Sequence, residues 1–289
     1  MTPLILEGIS LASSIKTTIK KQVELFSIEH QRAPGLAVIL IGNDHASCVY
    51  VNHKRRACEE VGLVSFAYDL PSNTSEQELI GLISDLNHNS SVDGVLVQLP
   101  LPEQINTATI IEHIDPAKDV DGFHPYNLGR LAQGKPTLRP CTPYGVIQLL
   151  LYHKISLVGK HVVVVGASNI VGKPMGLELL LAKATVTICH HQTKNLKNHV
   201  SNADIVIVAT GNKDVVTCDW LNKNQIVVDI GIHRCDDGSL RGDLDFNQAI
   251  NKVAAITPVP GGVGPMTIST LLQNTILAAQ HRLIFNHST

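Results

Sequence analysis

The sequence predicts an α/β protein of two domains, each built on a parallel sheet. A chain of 289 residues is longer than one ordinary core requires. In both halves, apolar segments of strand length alternate with segments of helical periodicity, the pattern of parallel sheets covered by helices. A segment rich in proline and glycine separates the two runs.

The N-terminal half begins with a predicted helix over residues 8–29, where apolar residues recur every three or four positions. Ser75 and Glu78 have capping-box spacing and start another helix that runs to about Asn87. Between and after these helices we expect strands over 36–41, 63–68 and 93–98, and a helix over 46–61 that Gly62 ends.

Five prolines and three glycines lie in residues 115–143, which we expect to be a loop-rich crossing between the domains. A helix over 145–152 then leads into the second half. That half repeats the alternation, with strands expected over 161–166, 184–189, 203–209, 225–229 and 253–256, and helices over 172–183, 195–202 and 267–284.

Composition excludes several classes of function. A net charge of −2 without a basic stripe gives no case for nucleic-acid binding, and the longest apolar runs are far too short to cross a membrane. The N-terminus has no signal-peptide plan. The six cysteines form no Cys-x-x-Cys pair, so we expect reduced thiols in the cytoplasm. The fourteen histidines show no metal-ligand spacing, so we expect no metal.

A glycine turn follows the predicted strand 161–166. The sequence Gly166-Ala167-Ser168 opens a turn that ends at Gly172, where a helix begins. A glycine at a strand end lets the backbone approach a pyrophosphate, and the helix start offers free N–H groups. Ser168 replaces the second glycine of the usual fingerprint, so a plain tight turn is the alternative.

The end of the next strand indicates which dinucleotide would bind. NAD sites usually place an acid there to hold the ribose 2′-hydroxyl. This chain has His190, His191 and Gln192, with Lys194 and Lys197 beyond. The absence of an acid and the presence of cations favour NADP; an ordinary solvated loop is the alternative.

Tyr50 and Lys54 are spaced to project from one helix face. Short-chain dehydrogenases use such a pair, but in them it follows the glycine turn, so that family is rejected. By spacing alone, an amphipathic surface helix is the simpler interpretation. Gln98, at the carboxyl end of a predicted parallel strand, and Asp119 and Asp121, in the loop-rich crossing, point instead to a ligand site.

Six motifs occur together and in order: Tyr50-Val-x-x-Lys54-x-x-Ala-Cys, Asp93-Gly-Val-Leu-Val-Gln98-Leu99-Pro, Lys118-Asp-Val-Asp121-Gly, Arg139-Pro-Cys-Thr-Pro143, Gly166-x-Ser168-x-x-Val-Gly172, and Thr257-Pro-Val-Pro260-Gly261-Gly262-Val-Gly-Pro. Together they resemble the bifunctional methylenetetrahydrofolate dehydrogenase/cyclohydrolase family in its bacterial two-domain form, over essentially the whole chain.

The resemblance implies an N-terminal parallel α/β catalytic domain and a C-terminal Rossmann-type dinucleotide-binding domain with a cleft between them. Residues 1–143, completed by a C-terminal helix over 267–289, would bind folate, and residues 144–266 would bind NADP. The enzyme would oxidise 5,10-methylenetetrahydrofolate and hydrolyse the methenyl product to 10-formyltetrahydrofolate. A homodimer is expected from the family.

The resemblance also implies residue roles. Lys54 would be the catalytic lysine and Gln98 its hydrogen-bonding partner, with Tyr50 packed on the folate and Asp121 on the pterin edge. Further positions are implied at Leu99, Pro260, Gly261 and Gly262 for the substrate, and at Gly166, Ala167, Ser168, His191 and Ile232 for the dinucleotide. Ala167 and His191 depart from the family, since some relatives carry arginine at the first position and serine or arginine at the second.

Three alternatives stay open on the sequence. A dehydrogenase without cyclohydrolase activity would not need both Lys54 and Gln98. A shikimate- or amino-acid-dehydrogenase-like enzyme would share the two-domain plan without the folate motifs. A non-catalytic dinucleotide sensor would not need Lys54, Gln98 and Asp121 together.

Overall fold

The computed structural model describes residues 2–235 and 237–286, with side chains described to residue 282. The strands are β1 Leu4–Ile5, β2 Gly35–Ile41, β3 Val64–Leu70, β4 Gly94–Val97, β5 His161–Val165, β6 Thr185–Cys189, β7 Ile205–Val208, β8 Ile226–Asp229, β9 His233–Arg234, β10 Leu240–Arg241 and β11 Ala255–Ile256. The helices are α1 Ile9–His30, α2 His45–Val61, α3 Glu76–His88, α4 Thr107–His113, α5 Pro125–Ala132, α6 Cys141–Tyr152, α7 Gly172–Leu181, α8 Leu196–Ser201, α9 Phe246–Ala249 and α10 Val263–Asn286.

The chain divides into two compact units. The three-stranded unit comprises Ser13–Arg139 and the chain from Ile268 onward. The six-stranded unit comprises the chain up to Ala12 and Pro140–Thr267. The first residues group with the later unit because β1 pairs in parallel with β11. The expected C-terminal helix over 267–289 is α10 as far as residue 286; residues 287–289 lie outside the described part of the chain.

The three-stranded unit is a parallel sheet in the order β3-β2-β4. The central strand, β2, is buried along its whole length. Alternate residues of β2 face opposite sides, and Ala37, Ile39 and Ile41 pack against apolar residues of α3 and α4. Gly62 ends α2 with a φ of 84°, as the sequence predicts.

The six-stranded unit is also parallel, in the order β1-β11-β8-β7-β5-β6. The chain runs from β5 outward to β6 and then returns past β5 to β7. The connections therefore change side between β5 and β7. In open α/β sheets, ligands bind at the carboxyl ends of the strands that flank such a switch point.

The predicted strands and helices are present, with ends shifted by a few residues. The prediction of a loop over 115–143 is wrong in part, because α5 and the start of α6 lie within it. Prolines that the pattern treats as breakers occupy first turns, where their missing N–H costs nothing. Pro125 starts α5 after His124, whose side chain accepts a hydrogen bond from Tyr126 N at 3.0 Å.

Lys118 is a buried cation within the three-stranded unit, only 2% exposed. Its Nζ donates to the carbonyl oxygens of Leu86, at 2.7 Å, and Asn89, at 2.9 Å, at the end of α3. Burial, together with the nearby positive charge of Arg282, lowers the pKa of Lys118 from 10.5 to about 8. The ammonium thus satisfies carbonyl oxygens at the C-terminal end of α3. Burying its charge costs free energy that burying a neutral amine would not.

We predict a pH-dependent contribution of Lys118 to stability. Between about pH 8 and pH 10.5 the unfolded chain binds more protons than the folded one, so this contribution rises with pH in that window. Relative to Lys118→Met, the wild-type free energy of unfolding should therefore increase with pH, by at most about 1.4 kcal/mol per unit. Urea titrations at several pH values measure it. Lys20→Met, on the exposed side of α1, is the control, and parallel profiles for wild type and Lys118→Met would contradict the prediction.

Candidate functional site

Helix α2 places a lysine inside the three-stranded unit. Asp44 begins the helix by accepting a hydrogen bond from Ser47 N at 2.8 Å. The buried positions of α2 recur at helical spacing and form one face: Ser47, Val51, Lys54, Ala57, Cys58 and Val61. Lys54 is 4% exposed, so the alternative of a surface helix is wrong for this residue.

Gln98 holds the amine of Lys54 from the end of β4. Its backbone N donates to Ile39 O at 2.9 Å, and its Nε2 donates to Leu99 O at 2.6 Å. The second bond turns Oε1 toward Lys54, whose Nζ donates to it at 3.1 Å. The ring of Tyr50 lies 4.8 Å from the same Nζ, in a cation–π contact. The structure therefore brings Tyr50, Lys54 and Gln98 together, and both of these partners of the amine are uncharged.

Cys58 lies one helical turn beyond Lys54. Burial raises the pKa of its thiol to about 12, against a small opposing effect of Lys54. The thiol is therefore protonated at neutral pH. It neither serves as a nucleophile nor places a negative charge beside the amine.

Asp119 organises the turn that carries Asp121. Its carboxylate, 1% exposed, accepts hydrogen bonds from Phe123 N at 3.2 Å, His124 N at 2.8 Å and Asn127 Nδ2 at 2.9 Å. Burial raises the pKa of Asp119, and these hydrogen bonds oppose the rise. The resemblance implies a substrate role for Asp121 alone, and the structural role of Asp119 becomes visible only through its burial and these hydrogen bonds.

Asp121 and Leu99 line one small cavity together with apolar residues of β4 and α4. Leu99 follows Gln98 directly in the chain, but neither Gln98 nor Lys54 lines this cavity. The structure thus places the first five expected substrate-site residues in the three-stranded unit as two groups: Tyr50, Lys54 and Gln98 in contact, and Leu99 with Asp121 at the cavity.

The remaining three, Pro260, Gly261 and Gly262, belong to the six-stranded unit and follow β11. Gly261 has a φ of 101° and its carbonyl accepts a hydrogen bond from Gly8 N at 2.8 Å. A Cβ on Gly262 would lie 2.6 Å from the carbonyl oxygen of Pro258. Both positions therefore need glycine for backbone reasons within their own unit.

The glycine turn lies at the switch point of the six-stranded sheet. Gly166 has a φ of 130°, and a Cβ there would lie 2.1 Å from the carbonyl oxygen of Ala209. Ser168 does what a second glycine could not: its Oγ accepts hydrogen bonds from Val171 N at 3.1 Å and Gly172 N at 3.3 Å. The tight turn and its position favour a dinucleotide site over a plain connection.

The turn after β6 is exposed and lacks a carboxylate. His190 and His191 are both exposed, and His190 N donates to Thr193 Oγ1 at 2.9 Å. Lys194 and Lys197 are exposed farther along. A group of this chemistry accommodates a phosphate at the ribose 2′ position better than a bare hydroxyl. Ile232, after β8, is 61% exposed.

Within residues 2–235 and 237–286, no group of three or more histidine, cysteine, aspartate or glutamate side chains could hold a metal ion. The same part of the chain contains no helix with the length and apolar character needed to span a membrane.

The geometry defines a two-domain α/β enzyme with a buried lysine in one parallel unit and a Rossmann-type dinucleotide site in the other. Residues 6–121 match the family "Tetrahydrofolate dehydrogenase/cyclohydrolase, catalytic domain", and residues 140–283 match "Tetrahydrofolate dehydrogenase/cyclohydrolase, NAD(P)-binding domain". The chain belongs to the tetrahydrofolate dehydrogenase/cyclohydrolase family.

Individual relatives agree with this assignment. The Bifunctional protein FolD of Legionella pneumophila (strain Corby) is 58% identical over 279 residues, which cover 96% of this chain and 98% of that protein. The crystal structure of the bifunctional FolD from Campylobacter jejuni is 47% identical, with a TM-score of 0.92 over 96% of this chain and 99% of that one. A Trypanosoma brucei FolD structure, complexed with NADP cofactor and an inhibitor, is 34% identical, with a TM-score of 0.92 over 97% and 98%.

The comparisons confirm the predicted fold class of two α/β domains, one catalytic and one NAD(P)-binding. They also confirm the prediction of a bifunctional dehydrogenase and cyclohydrolase. They favour it over a dehydrogenase without cyclohydrolase activity, over a shikimate- or amino-acid-dehydrogenase-like enzyme and over a non-catalytic sensor.

Proposed function

We propose that the chain carries out two successive reactions on folate through Lys54 and its neighbours. The first oxidises 5,10-methylenetetrahydrofolate to the 5,10-methenyl cation, and the second hydrolyses that cation to 10-formyltetrahydrofolate. The observation that carries the proposal is the buried Lys54 amine, 3.1 Å from Gln98 Oε1, within the stretch that matches the family's catalytic domain. Residues 1–143 with the helix from residue 267 are the folate-binding part of the chain, and residues 144–266 are the NADP-binding part.

The oxidation depends on positioning. NADP⁺, when bound, accepts a hydride from the methylene carbon. The protein needs to fix the folate ring against it, and little acid–base help is required. Tyr50 packs on the folate, and Asp121 accepts paired hydrogen bonds from the pterin amino group and ring N–H, a geometry suited to a carboxylate. Leu99 and the segment Pro260–Gly262 contact the substrate.

The hydrolysis requires proton movement. Water adds to the methenyl carbon and loses one proton to a base, which leaves a hydroxyl on that carbon. The bond from the carbon to N5 then breaks as N5 gains a proton and the hydroxyl loses its own, which forms the formyl C=O. Lys54 is the base. A free ammonium cannot accept a proton, but the positive charge of the methenyl substrate disfavours the ammonium form of an adjacent amine. Gln98 orients the amine. Because its amide is uncharged, it does not stabilise the ammonium form as a carboxylate would.

The dinucleotide lies on the turn Gly166-Ala167-Ser168, with His191 and Ile232 as further contacts. The tight approach of Gly166 to Ala209 O and the start of α7 fit a pyrophosphate. The cofactor is NADP. Because Ala167 brings no positive charge, His191 and the exposed lysines beyond it carry the discrimination against NAD.

We infer a homodimer formed through the β6 edge of the six-stranded sheet. Within the described part of the chain, this strand pairs with β5 alone. Ile188 on β6 is 39% exposed, and Leu180 on the adjacent α7 is 56% exposed. An uncovered strand edge with apolar side chains favours pairing with another chain. A symmetric pair would use the same edge of both subunits.

The cytoplasm is the proposed location. All six cysteines are thiols rather than disulfides, which suits a reducing compartment. Tetrahydrofolate derivatives are the proposed small-molecule partners, and neither nucleic acid nor a membrane has a role in the proposal.

The activity itself is tested by one spectrophotometric experiment. Purified protein is mixed with 5,10-methylenetetrahydrofolate and either NADP⁺ or NAD⁺, while NADPH (or NADH) and methenyl absorbance are followed. We expect reduction of NADP⁺ and only transient methenyl absorbance. Lasting methenyl accumulation would remove the hydrolase activity from the proposal.

Lys54→Met should leave the fold intact and remove the base. We expect hydrolysis of methenyltetrahydrofolate to slow by about 10²–10⁴-fold, the usual contribution of general acid–base catalysis, with a marked fall in the dehydrogenase rate as well. Stopped-flow loss of methenyl absorbance measures the first. Arg56→Met, exposed on the same helix, is the matched control. Hydrolysis at the wild-type rate by the Lys54 variant would remove Lys54 from its role.

His191→Asp should place a carboxylate where the 2′-phosphate binds. The ratio of kcat/KM for NADP⁺ over NAD⁺, expected above one in the wild type, should fall because like charges repel. Steady-state kinetics with each dinucleotide measure it. Asn198→Asp, exposed on α8, adds the same charge farther along and controls for a general electrostatic effect. An unchanged ratio in the His191 variant would contradict the assignment.

Ile188→Lys should convert the dimer to a monomer, because it places a charge in the proposed interface. Light scattering after size exclusion gives the mass directly. Leu25→Lys, on α1, alters a side chain that is 68% exposed and should leave the dimer intact. A dimer that survives the Ile188 substitution would place the interface elsewhere.

A further inference from the structure

Two buried carboxylates meet near the carboxyl ends of β7 and β8. Asp229 ends β8 and is 4% exposed, and Asp243 follows β10 and is fully buried. Burial raises the pKa of Asp229 to about 6, and the nearby Asp243 adds to the rise. Two adjacent buried acids are costly to keep in a fold, and the chemistry proposed above uses neither of them.

Asp243 joins the loops that follow β7 and β8. Its Oδ2 accepts hydrogen bonds from Thr210 N at 2.7 Å, Thr210 Oγ1 at 2.7 Å and Gly211 N at 3.0 Å, all in the loop after β7. Its Oδ1 lies 2.7 Å from His233 Nε2, at the start of β9. One side chain thus fixes the positions of two loops relative to each other.

Asp229 ties the loop after β8 to the segment that carries Asp243. Its carboxylate accepts hydrogen bonds from Gly231 N at 2.9 Å, Asp243 N at 3.0 Å and Leu244 N at 2.8 Å. Space here is tight, since a Cβ on Gly231 would lie 2.1 Å from Asp243 Oδ1. Ile232 is therefore flanked by two residues tied to the acid pair, and it is held with 61% of its surface exposed.

The strand order indicates which half of a bound dinucleotide these loops would contact. The pyrophosphate belongs at the turn after β5, and the 2′-substituted ribose belongs at the end of β6. β7 and β8 lie on the other side of β5 from β6. The loop after β7 also touches the glycine turn directly, through Ala209 O and Gly166. The half of the dinucleotide that extends past β5 toward β7 and β8 is the nicotinamide half.

We propose that Asp243, together with His233, is a positioning residue for the nicotinamide half of NADP. The pair acts through the Thr210–Gly211 loop and through Ile232, which it holds in a fixed shape against the bound ring and ribose. The inference rests on the proposed function only in that NADP is the ligand of this turn. It adds that different loops recognise the two halves of the cofactor: those after β7 and β8 recognise the nicotinamide half, and the turn after β6 recognises the ribose with the 2′-phosphate.

The test compares NADPH with a fragment that lacks the nicotinamide half, adenosine 2′,5′-bisphosphate. Fluorescence titration of NADPH and calorimetry of the fragment need no catalysis. In Asp243→Asn we expect the Kd of NADPH to rise by about tenfold or more, equivalent to roughly 1.4 kcal/mol, with the Kd of the fragment unchanged.

His233→Leu keeps the proposal testable if Asp243→Asn does not fold. It removes the hydrogen bond to Oδ1 from a side chain that is 19% exposed, and it should also weaken NADPH but not the fragment. His233→Gln, which keeps a donor, should restore part of the affinity. Asp245→Asn, two residues from Asp243 at the start of α9, is the matched control and should bind both ligands normally.

Parallel weakening of NADPH and the fragment would show a merely structural role and overturn the inference. Unchanged NADPH binding in folded Asp243→Asn, or in His233→Leu, would overturn it as well. Failure of the proposed function has a different signature: the wild type would bind NADPH yet leave methylenetetrahydrofolate unoxidised.

Discussion

The proposed chemistry depends on one interaction above the others, a lysine amine buried against an uncharged amide. Lys54 is 4% exposed, and burying an ammonium is costly unless its donors are satisfied. A carboxylate partner would lower that cost but would also keep the amine protonated. Gln98 instead accepts a hydrogen bond at 3.1 Å, and the ring of Tyr50 lies across the amine. The arrangement therefore fits the proposed role of Lys54 as the base of the hydrolysis.

Buried carboxylates fix the loops of both units in the same way. Asp119 holds the turn that presents Asp121, and Asp243 holds the loops after β7 and β8. In each case backbone N–H groups donate to an acid that is itself removed from solvent. Such bonds are stronger than those between neutral groups. A loop can thereby be as rigid as the strand that precedes it, which a binding site requires.

The periodicity of apolar residues and the residues that cap helices made most of the fold predictable. β2 is apolar because both faces are covered, and the Ser75–Glu78 capping box and the Gly62 C-cap mark helix ends locally. The helix α5 was missed because proline at a first helical position reads as a breaker. The pairing of β1 with β11 was missed because two residues carry no periodic signal, and their partner is far away in the chain.

The site was predictable in part. The order of long motifs located Tyr50, Lys54, Gln98 and Asp121, and the structure adds that the first three are in contact. The resemblance singled out Asp121, but nothing in the residue pattern showed that Asp119 is structural, because burial decides that. It gave no sign of Asp243 or His233, whose importance arises from hydrogen bonds between separate loops.

The central claim, that Lys54 needs an uncharged partner to act as the base, is tested most directly by the pH dependence of methenyltetrahydrofolate hydrolysis in Gln98→Glu. The substitution keeps the shape of the side chain and adds a charge beside the amine. The account predicts that the rise of kcat with pH moves to higher pH than in the wild type, because the carboxylate stabilises the ammonium form. A profile that coincides with that of the wild type would contradict it.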